Sequence, residues 1–227
     1  MEAIARFPDG SLTAEAVCTC CVDVLPVDRA ALCISRPSSG LETLAASDAI
    51  SSNFQALQVV AGDGPAFDAI ASGEPVLVYD IDSGFDRWPG FVTALGPSAP
   101  CPLFDFPLQM GAISVGVLEL SRNDLSPLTS SEVTDISAVA EVVTLVLLSR
   151  SAVIDDAALR GDIWSSSVPS SAEIHQATGM VVAQLSVPPQ IAYVRLRAHA
   201  FATERPLHEV ARAVIGRQLR FDPEIGE

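Results

Sequence analysis

In the stretch Ser170-Ser-Ala-Glu-Ile-His-Gln-Ala-Thr-Gly-Met-Val-Val-Ala-Gln-Leu185, apolar residues recur at helical spacing. Ser170 and Glu173 have the spacing of a capping box, in which two side chains accept hydrogen bonds from unpaired N–H groups of the first turn. A second helix begins at Pro188-Pro189, because proline at the first helical position gives up only a donor that would stay unpaired. A third begins after Pro206. We therefore expect three helices in residues 170–220, which we call the tail.

Apolar stripes predict which sides of these helices face inward. In chain order, the stripes are Ile174, Ala177, Val181, Val182 and Leu185; Ile191, Val194, Ala198 and Phe201; and Leu207, Val210, Ala211, Val214 and Ile215. This arrangement leaves Tyr193 and Arg197 one turn apart on a neighbouring face of the second helix, with the small Ala200 beside them. An aromatic ring and a guanidinium next to open space could together bind a flat, anionic partner.

Three segments of the tail carry the residues of a known family. They are Ile174-His-Gln-Ala-Thr-Gly-Met-Val-Val182, Ala192-Tyr-Val-Arg-Leu-Arg-Ala-His-Ala200 and Leu207-His-Glu-Val-Ala-Arg-Ala-Val214. Together they resemble the ANTAR domain, an RNA-binding antitermination module. The resemblance implies binding to paired hexaloop hairpins in a nascent leader transcript, which blocks formation of a terminator. The RNA-binding residues expected on this basis are Gln176, Thr178, Tyr193, Arg195, Arg197 and Arg212.

Thr178 departs from that family pattern, which usually has Lys at this position. A charge directed at phosphate is therefore missing, so RNA affinity is expected to be weaker or differently distributed over the surface.

Charge divides the chain into two parts. Residues 170–220 carry six arginines and three glutamates, a net charge of +3, whereas residues 1–154 carry six arginines and nineteen acidic residues, a net charge of −13. An acidic first part repels polyanions while the tail attracts them, which favours one RNA-binding surface over general coating of nucleic acid. Two alternatives stay open: the arginines form only the solvated face of a helical bundle, or the tail binds a protein partner.

The whole chain has 227 residues and a net charge of −15, which suits one full domain and a small one. The expected division is a sensor domain at 1–150, a helix end and linker at 151–169, and the RNA-binding domain at 170–227. No run of 18 apolar residues occurs, and residues 1–10 lack the apolar core of a signal peptide. We therefore expect a cytoplasmic protein without a membrane partner.

Residues 1–150 predict an α+β domain with an antiparallel sheet, because strands occur in runs and not in alternation with helices. A helix is expected at 14–25, and strands at 30–35, 41–46, 75–80 and 110–121. Pro37-Ser-Ser-Gly40 indicates a hairpin between the first two strands. Gly62-Asp-Gly-Pro65 precedes a further helix, which Pro65 pre-organises and which Asp63 or its neighbour is placed to cap.

This first part also carries markers of a second family. They are Gly62-Asp-Gly-Pro-Ala-Phe-Asp-Ala-Ile70, Ser72-Gly-Glu-Pro-Val76, Asp80, Arg87-Trp-Pro89, Phe106-Pro-Leu108 and the stretch 113–120. They resemble a GAF domain, particularly the GAF half of GAF–ANTAR regulators. The resemblance implies a sensor of a small molecule or redox signal, with a pocket between sheet and helices; the cofactor stays unknown. No histidine precedes His175, which excludes histidine-ligated haem here.

Five cysteines without a secretory signal predict free thiols. Cys18, Cys20 and Cys21 are interpreted either as small buried hydrophobic residues or as a metal or redox sensor. A tetrahedral metal site would need Cys33 or Cys101 to fold close to them.

Catalysis has little support in the sequence, since no glycine-flanked nucleophile elbow occurs and the histidines all lie in the tail. We expect no enzyme. The remaining enzymatic alternative is cysteine-dependent reduction of methionine sulfoxide at Cys101, although the spacing of the cysteines does not match the pattern of GAF proteins with that activity.

A long helix connects the two halves. Thr129 and Glu132 predict its capping box, and the helical pattern continues to Leu159-Arg160. Its apolar stripe is Ile136, Val139, Val143, Val146, Leu147, Val153 and Ile154. The first half must cover the sheet. The distal half, with Val146, Val153 and Ile154, is expected to pair with a second copy as a short coiled coil, which makes a homodimer.

Overall fold

The fold is seen in a computed structural model, which describes residues 13–36, 40–96, 101–111, 113–153 and 170–222. For residues 82, 150–153 and 170–172 it describes the backbone alone. The elements are α1 (Ala14–Val24), β1 (Arg29–Arg36), β2 (Gly40–Ala46), α2 (Ala49–Ala61), α3 (Pro65–Ser72), β3 (Val76–Val78), α4 (Pro89–Leu95), β4 (Leu103–Met110), β5 (Ile113–Ser121), α5 (Ser130–Val153), α6 (Ser170–Leu185), α7 (Pro189–Ala202) and α8 (Leu207–Ile215).

The N-terminal domain, residues 13–153, is built on five strands in the order β2-β1-β5-β4-β3, all paired antiparallel. The α+β prediction and the β1–β2 hairpin are confirmed. Strand β4, which pairs with β5 along its whole length, is not among the strands predicted from the sequence. The reason is that Asp105 and Pro107 interrupt its apolar pattern, and proline in a central strand is unusual. Helices α2 and α4 were also not predicted.

One face of the sheet packs against α1 and α5 in a large apolar core. The predicted capping box of α5 is confirmed: the N–H of Glu132 donates to Thr129 Oγ1 at 3.2 Å, and the N–H of Thr129 donates to Glu132 Oε2 at 2.6 Å. Ile136 and Val143 are buried on the sheet as predicted, and Leu147 is buried one turn further along. The predicted helix end beyond Val153, including Ile154, lies outside the described residues.

The opposite face of the sheet is covered by α2, α3 and α4. Of the two candidates for the cap of α3, Gly64 is the N-cap residue and makes no side-chain hydrogen bond. The Asp63 carboxylate instead accepts hydrogen bonds from the N–H groups of Gly90 and Phe91 at 2.9 and 2.7 Å, at the start of α4. The Asp63 side chain therefore bonds to α4, which is distant in the sequence, and not to the adjacent α3. At the start of α3, the N–H of Ala66 donates to Gln58 Oε1 at 2.9 Å.

The tail forms the three predicted helices, α6, α7 and α8. The inward stripes of α6 and α8 are confirmed. The stripe predicted for α7 is wrong: Ile191, Val194 and Phe201 are 46%, 46% and 45% exposed. Its buried side consists of Ala192, Tyr193, Leu196 and Ala200. The small alanines on that side let α7 lie close to its neighbours, and the spacing between packed helices depends on the side chains at the contact.

Within the described ranges, no helix is both long enough and apolar enough to cross a bilayer.

Candidate nucleic-acid interface

Tyr193 and Arg197 lie on one flank of α7, and this flank faces the N-terminal domain. Tyr193 is 7% exposed, and burial raises the pKa of its hydroxyl to about 12. The half-buried Arg197 guanidinium occupies the space that a Cβ at position 62 would fill, against Gly62 at the end of α2. The prediction of open space beside these side chains is therefore wrong in this conformation, because the other domain fills it.

Arg195 lies on a different side of α7. Each residue advances an α-helix by about 100° around its axis, so Arg195 and Arg197 lie roughly 200° from each other, on nearly opposite sides of α7. Arg195 is exposed. The two arginines therefore do not belong to one continuous flank, although they are only two positions apart in the sequence.

On α6, the predicted residues differ in how accessible they are. Gln176 is exposed, whereas Thr178 is half-buried and its hydroxyl donates to the Ile174 carbonyl oxygen at 2.7 Å. Because the hydroxyl hydrogen is used in this bond to the preceding turn, the oxygen can only accept a hydrogen bond from a ligand. The position of the missing family lysine therefore lies at the margin of the exposed side of α6.

Arg212 on α8 is exposed and paired with Glu173 in the first turn of α6. Its Nε lies 3.0 and 2.9 Å from the two carboxylate oxygens. The pair joins two helices of the tail. An exposed ion pair contributes only about 0–1 kcal/mol, so a phosphate can replace the glutamate at small cost.

A buried carboxyl pair that was not predicted from the sequence lies beneath α2 in the N-terminal domain. Asp105 on β4 and Glu119 on β5 are directly paired residues of the sheet, and both are buried. Gln58 Nε2 donates to Glu119 Oε2 at 2.5 Å, whereas neither Asp105 oxygen has a hydrogen-bond partner among the described residues. Burial raises the pKa of both carboxyls, and the proximity of Asp105 adds to the effect on Glu119. The sequence feature that could have indicated this pair is the single acidic residue within each of two mostly apolar strands.

Three of the five thiols lie in the interior. Cys18, Cys21 and Cys33 are buried, and Cys33 Sγ donates to Gln55 Oε1 at 2.8 Å. Burial raises the pKa of all three thiols, that of Cys21 to about 12. Because the thiolate is the reactive and metal-binding form, these three side chains behave as buried hydrophobic residues. Among the described residues, no group of three or more histidine, cysteine or acidic side chains could hold a metal.

This burial predicts slow alkylation. With iodoacetamide at pH 8, we expect Cys18, Cys21 and Cys33 to react at least about a hundredfold more slowly in the native protein than in urea. Peptide mapping by mass spectrometry measures each site, with the half-buried Cys20 as the internal comparison. Native labelling of Cys21 or Cys33 at the denatured rate would contradict the assignment.

Comparison with known proteins identifies both halves. Residues 166–215 match the ANTAR domain, the RNA-binding module of antitermination regulators. The chain is similar to the GAF domain from an Acinetobacter phosphoenolpyruvate-protein phosphotransferase, with a TM-score of 0.51 and 10% identity over 67% of this chain and 92% of that one. It is also similar to the GAF domain from a phosphoenolpyruvate-protein phosphotransferase of Coxiella burnetii, with a TM-score of 0.50 and 15% identity over 66% and 91%.

A search of curated proteins gives no match. The chain has a GAF–ANTAR architecture: the N-terminal domain has the GAF fold, and the tail is an ANTAR domain.

Proposed function

We propose that this chain is a signal-responsive RNA-binding regulator of the cytoplasm. It binds paired hexaloop hairpins in a nascent leader transcript and thereby prevents transcription termination, while the GAF domain receives the signal and catalyses nothing. The match of residues 166–215 to the ANTAR domain carries this proposal.

The chemistry of the tail supports an RNA partner. Arg195, Arg197 and Arg212 supply positive charge from two helices, and neutralising phosphates releases counterions, which drives association. The Tyr193 ring stacks on a loop base when α7 is uncovered, an interaction worth about 1–3 kcal/mol. Gln176 and Thr178 complete the proposed surface on α6.

Arg212 offers the cleanest test, because it is exposed and its partner is known. We expect Arg212→Ala to weaken binding to a two-hairpin RNA and to reduce the slope of log affinity against log salt by about one unit. Glu173→Gln leaves Arg212 in place without its competing carboxylate, so it should bind RNA at least as tightly as the unmodified protein. Titration at several salt concentrations measures both effects.

The matched control is Arg220→Ala, which removes an exposed arginine outside the proposed surface. Equal losses of affinity and slope in both arginine variants would mean that phosphate attraction is diffuse and that Arg212 makes no specific contact.

One observation favours a second candidate function, binding of a protein partner by the tail. Ile191, Val194 and Phe201 form an exposed apolar stripe on α7, and such surfaces often mark protein contacts. If Arg212→Ala leaves RNA affinity unchanged in folded protein, this candidate replaces the first.

Dimerisation through α5 completes the proposal, since two hairpins on one RNA need two tails presented together. Val146 is half-buried and packs partly against the core of its own domain. Its neighbour Leu145 is 57% exposed. The side chain of Val153, and Ile154, lie outside the described residues. We therefore add Leu145 to Val146, Val153 and Ile154 as the proposed dimer contact.

A further inference from the structure

We propose that the GAF domain masks the RNA-binding flank of the ANTAR domain, so that docking of α7 on α2 and binding of RNA exclude each other. The proposal rests on the proposed function, because it requires RNA to use Tyr193 and Arg197. Three contacts between the domains support it.

The first contact is apolar and centres on Val60. Gln58 faces the sheet, and Val60 points roughly 200° away from it around α2, toward the outside of the GAF domain. Val60 is nevertheless only 8% exposed. It lies in one apolar cluster with Tyr193, Leu196 and Ala200 of α7. The tail therefore covers an outer face of α2 that the GAF domain alone would leave in water.

The second contact places a cation at the end of α2. The last turn of this helix contains no basic residue, and Gly62 ends it in a left-handed conformation with φ of 73°. The Arg197 guanidinium lies against Gly62. Because the C-terminal end of a helix carries a partial negative charge, a guanidinium there is favoured. Arg197 supplies from the other domain the cation that α2 lacks.

The third contact joins β2 to α6. His175 Nε2 lies 3.3 Å from Glu42 Oε2. Burial opposes ionisation of Glu42, but hydrogen bonds and charge from His175 and Arg36 outweigh it and hold the pKa of this carboxyl below its usual range. Glu42 therefore stays ionised near neutral pH and attracts the tail.

The docked arrangement is incompatible with the proposed RNA complex. The ring of Tyr193 has no open face for a base, and Arg197 is directed at α2 and not at solvent. The net charge of −13 over residues 1–154 also repels a polyanion approaching this side. By linkage, whatever weakens docking strengthens RNA binding, and RNA weakens docking by the same factor.

Helix α2 is placed to transmit a signal to this contact. Its Gln58 holds the buried Glu119, while Val60 on the opposite side of the helix and Gly62 at its C-terminal end meet the tail. A change at the carboxyl pair that shifts α2 would therefore alter the docking surface directly.

The test uses substitutions in the GAF domain of the full chain, because Arg197 variants would change docking and RNA contact together. Val60→Asp places a charge under α7 at a position that would be solvated after release. We expect it to raise hydrogen exchange in residues 189–202 and to tighten binding of a two-hairpin RNA by about tenfold or more. Asn53→Asp is the control, since it adds the same charge at an exposed position of α2.

Glu42→Gln is the second variant, and it leaves α2 unchanged. It removes the charge that faces His175, so we expect a smaller gain in RNA affinity, about threefold. If Val60→Asp does not fold, Glu42→Gln alone decides, and unchanged RNA affinity then overturns the masking proposal.

The outcomes separate the two proposals. Faster exchange in α7 with unchanged RNA affinity overturns masking and leaves RNA binding intact. Unchanged exchange in folded Val60→Asp also overturns it, because the contact would not hold the domains together. If α7 exchanges faster in the variants but neither they nor the unmodified protein bind the RNA, the proposed function is contradicted, and the masking proposal fails with it.

Discussion

Replacing Leu145 by Asp is expected to make the protein bind an RNA with two hairpins little better than an RNA with one. In a dimer, the second tail binds within the same complex, and this effective concentration raises affinity by about 10²–10⁴ over a single contact. Leu145 is exposed on α5, whereas Val143 and Leu147 on either side of it are buried on the sheet. The charge therefore disturbs the proposed dimer contact and spares the GAF core.

Sedimentation velocity and RNA titration measure the two consequences together. Ser131→Asp, which adds a charge at an exposed position in the first turn of α5, serves as the matched control and should remain dimeric. The proposal fails if the unmodified protein is monomeric even on two-hairpin RNA. It also fails if the Leu145→Asp protein is monomeric and retains the full preference for two hairpins.

The second large effect concerns the buried carboxyl pair. Asp105 and Glu119 have raised pKa values in the folded state, so the folded protein keeps a proton that the unfolded chain releases at about pH 4. The contribution of this proton to the unfolding free energy is fully present below the carboxyl pKa of the unfolded chain. It is lost as the pH rises through the higher pKa of the folded protein. For one retained proton, the unfolding free energy falls by about 1.4 kcal/mol per pH unit.

Asp105→Asn removes one ionisable group while keeping the shape of the side chain. We expect it to flatten this pH dependence and to be more stable than the unmodified protein at pH 8 by about 1–3 kcal/mol. Urea unfolding between pH 5 and 9 measures the effect. The chain has two tryptophans, so in a Trp164→Phe background the fluorescence of Trp88, which is buried in the GAF domain, reports unfolding alone.

Asp135→Asn, at an exposed position on α5, is the control and should leave the pH profile unchanged. If the Asp105→Asn and unmodified proteins show parallel profiles, the pair does not hold the proton in the folded state.

Local patterns in the sequence determined much of this architecture. The stripes of α6 and α8 and the capping box at Thr129 and Glu132 depend on residues within about four positions of each other, and the structure has them as predicted. The same holds for the α+β character of the first part and for the resemblance of the tail to the ANTAR domain. Short-range geometry is sufficient for the helix stripes and the capping box because their partners are neighbours in the chain, and the α+β class follows from the order of the predicted elements alone.

The tertiary structure decided which side of α7 is buried and what lies against it. Its apolar stripe alone predicted the side with Ile191 and Phe201, but Tyr193 and Arg197 pack instead against α2, more than a hundred positions earlier in the chain. Asp63 likewise caps α4, and Asp105 lies beside Glu119 only through the register of β4 and β5. The sequence around each of these residues does not specify such distant partners, because burial depends on the surface that packs against a side chain and not on its own polarity alone.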